Sequence, residues 1–381
     1  MVFYGVGTIV GGGIYALLGK IIGEVGVFTP LSLMIAGAVA LVSALSFAEM
    51  SRRFPASEGE VAYVDAAFGR RRLSQLVGIL VILTGVVSAA TLCAATGGFL
   101  LDITGVPALG MIALTAVALT AIAAWGVSQS VAAVALVTLL EVGTLVAIIL
   151  LSAESLTAIP HLLSQMTGQW GQLEGAALMT TAFLAFYAFV GFEDMVNMAE
   201  EVRNVERTMP LAILISVAIT FVLYLGVATV ALNLEDRQAL AQSNTPMALL
   251  LPRGYTADVA IGVISILAGL NGALVQMVMA SRVLYGMARK DLAPRRLGTV
   301  STVTRTPMMA TLMVGAIVLL LACSFPLVGL AQATSFIILG VFALVNFSLL
   351  VLRLREGDIP WLPGLAAAGC VAMLTLRLVA N

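Results

Sequence analysis

Histidine is almost absent: His161 is the only one, and it lies in a polar connection, so a histidine metal cluster or a histidine proton relay is excluded. Cysteine is equally sparse. Cys93, Cys323 and Cys370 all fall within apolar runs and have no CxxC spacing, which leaves neither a disulfide framework nor a cysteine metal site. Charged residues make up only 10% of the 381, while 61% are hydrophobic, a balance outside the range of soluble globular domains. The first apolar segment has no basic leader and no A-x-A cleavage site, so it is expected to be part of the mature structure. No stretch resembles a selectivity filter or a charged ring, which argues against a channel. The spans carry no catalytic pair and no ligand set, so no enzyme, no cofactor, no metal and no nucleic-acid partner is indicated.

What is abundant is apolar sequence in lengths of about 20 residues, enough to cross a bilayer. Eleven spans are predicted, near 2–23, 29–51, 73–101, 107–126, 130–152, 175–199, 209–232, 256–288, 307–325, 327–352 and 360–379. Residues 56–69 read as a short interfacial helix and 153–172 as a polar connection. With the N-terminus in the cytoplasm, fifteen Arg and Lys residues fall inside and four outside, a strong positive-inside asymmetry. The expected class is an all-α polytopic membrane protein in the bilayer of the inner (cytoplasmic) membrane.

Two spans contain weak points. In the first, GVGTIVGGGIYALLG (Gly5–Gly19) places Gly11, Gly12 and Gly13 mid-span, and each glycine costs a helix about 0.5–1 kcal/mol. Either small residues allow close packing there, or the helix breaks, as transporter helices do around cargo. The sixth span carries FYAFVGFEDM, with Gly191 followed by Glu193 and Asp194. These acids either mark a second break facing protein or water, or simply begin the cytoplasmic end of the span. Breaks in the first and sixth spans are the placement a five-plus-five inverted repeat requires.

Three stretches carry a family resemblance: GVGTIVGGGIYALLG, FYAFVGFEDMVNMAEEVRNVERTMPLAI (Phe186–Ile213) and SRVLYGMARKDLAPRRLGTVSTVTRTP (Ser281–Pro307). The sequence resembles the amino acid/polyamine/organocation permease superfamily, in particular bacterial cationic-type and related amino acid permeases. The resemblance implies the leucine-transporter-type fold with a 5+5 inverted repeat, residues 1–153 and 175–352, followed by an additional span over 359–381. Relatives of this kind have twelve spans and a longer N-terminus, so the last span and part of the first are expected to be missing here.

The resemblance also implies secondary active transport of amino acids by alternating access, with proton-coupled symport as the first expectation. An amino acid/polyamine exchanger and a shortened, non-transporting membrane scaffold are the alternatives. The cargo carboxylate is expected on the N–H groups of Gly11, Gly12 and Gly13, at the positive end of a half-helix. The ammonium is expected on carbonyls near Thr8, Ile9, Phe186, Ala188 and Phe189. Gly191 forms the second break, and Tyr187, Phe189 and Phe192 are candidates for a gate or wall, with ordinary packing as the competing role. Glu141, at the centre of LVTLLEVGTLV, occupies a position where some relatives carry lysine. A midspan carboxylate can take up a proton, which makes Glu141 the coupling candidate, with a structurally satisfied acid as the alternative. Glu49 and Glu60 are expected near the cytoplasmic surface, paired with arginine. Glu200, Glu201, Arg203 and Arg207 are expected to form an inner network or cap the seventh span.

Overall fold

A computed structural model describes residues 1–56, 59–126, 131–234, 236–251, 255–302 and 304–379. Fifteen α-helices follow one another among them: α1 (Val2–Val25), α2 (Thr29–Arg53), α3 (Glu60–Phe68), α4 (Arg71–Thr104), α5 (Ala108–Trp125), α6 (Val131–Leu151), α7 (Glu154–Thr157), α8 (Ile159–Gln169), α9 (Gly175–Phe186), α10 (Val205–Leu232), α11 (Arg237–Gln242), α12 (Tyr255–Arg289), α13 (Met308–Ser324), α14 (Leu327–Arg355) and α15 (Trp361–Val379). Proline marks where several begin, because a missing N–H is harmless at a helix start. Pro30 sits in the first turn of α2, and Pro107, Pro307 and Pro326 immediately precede α5, α13 and α14.

Among the described residues, eight stretches are long and apolar enough to cross a membrane, and the first of them, Val2–Arg53, comprises both α1 and α2. Two further apolar helices, Ala135–Leu151 and Met308–Ser324, are shorter. The segment expected to be a plain polar connection differs: most of it folds as α7 and α8, and Leu162 on α8 is buried. The helix over residues 60–68 is present, but Tyr63, Val64 and Ala67 are sealed against α4 and α14, so one of its faces belongs to the protein core.

Burial runs opposite to the pattern of a soluble protein. The innermost helix is α1, whose Ile9, Val10, Ile14, Tyr15, Leu17 and Leu18 have almost no exposed surface. Peripheral helices display large apolar side chains outward, among them Leu109, Leu114, Val222, Leu312 and Leu320, as a lipid-facing surface requires. Lipid is as apolar as leucine, so close packing through small residues has to hold such helices together. Gly315 on α13 rests against Thr120 of α5, and Gly85 on α4 rests 3.1 Å, at its Cβ position, from the Gln276 carbonyl of α12. At one end of the bundle Glu49 of α2 pairs with Arg53 and with Arg353 of α14, and Arg53 reaches Glu356 at 2.5 Å.

Candidate functional site

Both sequence weak points are breaks. The backbone of α1 leaves helical geometry at Gly11 (φ −2°, ψ −163°). Helix α9 stops at Phe186, Tyr187–Phe189 forms a tighter 3-10 turn, Val190 is extended, and the chain resumes as a 3-10 helix over Glu193–Glu201. Gly191 has φ +131°, a region that side-chain-bearing residues avoid. A Cβ on Gly191 would strike the Thr8 carbonyl and lie 3.0 Å from the Ile9 nitrogen, so the two breaks meet back to back.

Backbone released from a helix inside a membrane needs polar partners. The Gly191 N–H donates to Glu193 Oε2 at 2.8 Å, and the Val190 N–H to the Tyr187 carbonyl at 3.1 Å. The Tyr224 hydroxyl of α10 stands 3.0 Å from the Ile9 carbonyl and 2.9 Å from that of Ala188. Its single proton serves either, so this tyrosine ties the two breaks together. The Thr8 hydroxyl donates to the Gly5 carbonyl.

In front of the breaks lies a small cavity of about 20 Å³, room for about one water. Thr8, Ile9, Gly11, Gly12 and Gly13 line one side, Tyr187, Val190 and Asp194 come from the second break, Ser88 and Leu92 from α4, and Gly272, Val275 and Gln276 from α12. A Cβ built on Gly11 meets nothing within 4 Å, whereas on Gly12 it would lie 2.8 Å from Leu92 and 3.0 Å from the Gly269 backbone. The Ser88 and Tyr187 hydroxyls are 3.2 Å apart. Gln276 Nε2 donates to Asp194 Oδ2 at 2.6 Å, while Asp194 Oδ1 and Gln276 Oε1 are buried without a hydrogen-bond partner. The cavity therefore combines peptide groups at the start of a half-helix with two lining side chains, Asp194 and Gln276, that each keep one buried oxygen without a partner.

The other residues singled out from sequence lie outside this lining. Phe186, Phe189 and Phe192 are buried in aromatic packing: Phe192 against Phe47 and Phe342, Phe186 against Phe342, and Phe189 against Tyr224 and Phe221. Ala188 contributes its carbonyl to Tyr224, and Gly191 is turned toward Thr8. Of the three candidate gate aromatics, Tyr187 alone lines the cavity. Glu141 on α6 is fully buried, and neither carboxylate oxygen has a hydrogen-bond partner. Its main-chain carbonyl accepts from the Tyr15 hydroxyl at 2.7 Å.

Glu49 is paired with arginine, but Glu60 differs from expectation. Gly59 lets the chain turn inward before α3, so Glu60 is 1% exposed and both its oxygens lack a partner. Burial pushes its carboxyl up to about 8, with Glu193 nearby as a second cause. The side chains of Glu200 and Glu201 lie outside the described residues. Asn204, rather than these acids, provides the left-handed entry into α10. Among the described residues no group of three or more His, Cys, Asp or Glu is placed to hold a metal ion.

Comparison with known proteins gives one family and a consistent set of relatives. A family model described as "Amino acid permease" matches residues 1–380. An uncharacterized transporter of Mycobacterium tuberculosis is 33% identical over 386 residues, covering 98% of this chain and 83% of the relative. The branched-chain amino acid permease of Bacillus subtilis is 25% identical over 404 residues, covering 97% and 85%. Human cationic amino acid transporter 4 is 27% identical over 388 residues, covering 94% of this chain and 60% of its own length. The helix breaks, the apolar exterior and the match along nearly the whole sequence agree: this chain belongs to the amino acid permease family.

Proposed function

We propose that the protein is a secondary active transporter that moves amino acids across the cytoplasmic membrane by alternating access, driven by proton symport. The observation that carries this is the cavity at the paired breaks, with Gly11, Gly12 and Gly13 on one side and Asp194 and Gln276 among its other walls. The cargo carboxylate binds the N–H groups of those glycines, at the positive end of the second half of α1. The permease relatives, one named for branched-chain and one for cationic amino acids, support amino acids as the cargo class.

The 5+5 inverted repeat, residues 1–153 and 175–352 with a further span over 359–381, draws support from the packing. Counting α1 and α2 separately and including the two shorter apolar helices gives eleven spans. Four of the five pairs of spans five apart then pack on one another, α1 on α9, α2 on α10, α4 on α12 and α5 on α13, while the fifth pair, α6 and α14, is not packed together among the described residues. The arginine distribution supports a cytoplasmic N-terminus.

Glu141 is the proposed coupling group. Its carboxylate has no fixed hydrogen-bond partner, and its charge acts on Tyr15 and Tyr224. Tyr224 joins the two breaks, so proton uptake at Glu141 changes the field at the element whose rearrangement opens the site. Uptake of radiolabelled amino acids into proteoliposomes, acid outside, tests the function. Accumulation that collapses with a protonophore is expected; no uptake by correctly folded protein, or uptake indifferent to the gradient, contradicts it.

A further inference from the structure

A second cavity, of about 470 Å³, opens where α3, the first turns of α4 and the turn after α12 meet, and its described lining shares no residue with that of the cavity at the breaks. Val61 and Ala66 of α3 and Leu292 make part of its wall apolar. Arg71 of α4 and Lys290, one residue past α12, are exposed and line the same space. Arg71 Nη2 donates to the Asp291 carbonyl at 3.0 Å, which holds the guanidinium across the gap, beside the turn that carries Lys290. Asp65, the acid among the described lining residues, already accepts from the Ser74 hydroxyl on Oδ1 at 2.9 Å. More positive charge stands around the opening: Arg70 and Arg72 flank Arg71, and Arg289 and Arg296 are exposed on the facing side, while Asp291 is paired with Arg295.

Two cations converging on one cleft with a partly apolar wall suit an amphiphile with an anionic head. The guanidinium fork and the ammonium are the two side chains that bind phosphate oxygens best. The orientation proposed above puts this end of the bundle at the cytoplasmic leaflet, where anionic phospholipids are presented and where basic pockets between spanning helices hold their head groups. We infer that the cleft binds the head group of an anionic phospholipid, with its phosphate between Arg71 and Lys290 and its glycerol end along Val61, Ala66 and Leu292. A lipid seated there joins α3 and α4 to the end of α12, so it stabilises the bundle without entering the cargo cavity.

Titration of the purified full chain in neutral detergent with phosphatidylglycerol tests this, read by native mass spectrometry of retained lipid and by the unfolding temperature. Phosphatidylglycerol is expected to be retained and to raise the unfolding temperature at concentrations where phosphatidylcholine of the same acyl chains does neither. The double variant Arg71→Gln, Lys290→Gln is expected to bind about 10- to 30-fold more weakly, the effect of removing two surface cations. Ala66→Glu, which places an acid on the exposed α3 wall and removes no contact of Arg71, is expected to weaken binding as well. Arg203→Gln, Arg355→Gln removes as many exposed cations from elsewhere on the cytoplasmic face and is expected to change binding less than about threefold. Equal retention of phosphatidylcholine overturns the proposal, as does an equal loss in the Arg203, Arg355 pair, which would mean diffuse surface charge. Protection by inorganic phosphate or glycerol phosphate as strong as by phosphatidylglycerol overturns the lipid assignment in favour of a soluble anion. Should the double variant fail to fold, unweakened binding by Ala66→Glu overturns the site. Amino acid uptake does not enter any of these readouts, so the transporter reading stands or falls separately.

Discussion

Replacing Gly191 with alanine adds one methyl group at the point where the two broken segments touch. Its φ of +131° is unfavourable for alanine, a strain of about 1–3 kcal/mol. The new Cβ would also overlap the Thr8 carbonyl, with its carbon 2.7 Å away and the Ile9 nitrogen at 3.0 Å. Those are backbone atoms, so no side-chain rotation relieves the overlap, and overpacking adds about 1–3 kcal/mol. The total of about 2–6 kcal/mol is a large share of an ordinary stability. Thermal unfolding of detergent-purified protein should show a clear drop, and amino acid affinity should fall as the segments separate. Gly110→Ala on α5 is the control: its Cβ meets nothing within 4 Å, so alanine should be neutral or stabilise by about 0.5–1 kcal/mol. A Gly191→Ala protein as stable as wild type, with unaltered binding, would refute the back-to-back arrangement.

Three other perturbations test separate parts of the account. Tyr224→Phe keeps the ring against Phe189, at 5.2 Å between centroids, but removes the proton shared by the Ile9 and Ala188 carbonyls. Stability is expected to drop by about 1–3 kcal/mol in thermal unfolding, and an unchanged midpoint counts against the bridge. Glu141→Gln should abolish proton-driven accumulation while leaving exchange of labelled for unlabelled cargo; wild-type pH dependence of uptake in this variant would remove Glu141 from the coupling step. Glu60 holds its proton up to about pH 8 when folded and releases it near the ordinary carboxylate value when unfolded, facing Glu193, Asp194 and Tyr63. Its contribution is therefore full at acid pH and is lost as pH rises toward 8, at most about 1.4 kcal/mol per pH unit. Glu60→Gln should flatten the fall in unfolding temperature between pH 5 and 8, and an equal slope in both proteins would show that Glu60 is not the group responsible.

The helical spans and the two breaks were legible because their signals are local: unbroken apolar runs, glycines inside them, and prolines at helix starts. Gly11–Gly13 and Gly191 announce weak helix whatever surrounds them. The far side of the cavity was not legible. Ser88, Leu92, Gly272 and Gln276 are ordinary residues within the long helices α4 and α12, and only tertiary packing decides which of them faces the breaks. Tyr224 was hidden for the same reason, one tyrosine in an apolar helix with nothing in its neighbours to mark the carbonyls it meets. Phe189 and Phe192 show a different limit. Their position beside a break suggested a gate, yet the 3-10 turn, the extended Val190 and the turned Gly191 direct both rings into packing and leave Tyr187 on the cavity. Glu60 was assigned to the surface by its polar neighbours, whereas the turn at Gly59 carries it inside.

The central claim is that an amino acid occupies the cavity between the breaks, and an experimental density map of the protein with bound cargo tests it most directly. The account predicts density enclosed by Gly11–Gly13, Tyr187, Ser88, Asp194 and Gln276, with the cargo carboxylate against the glycine N–H groups. Cargo density elsewhere in the bundle, or in this cavity with the carboxylate turned toward Asp194, would contradict it.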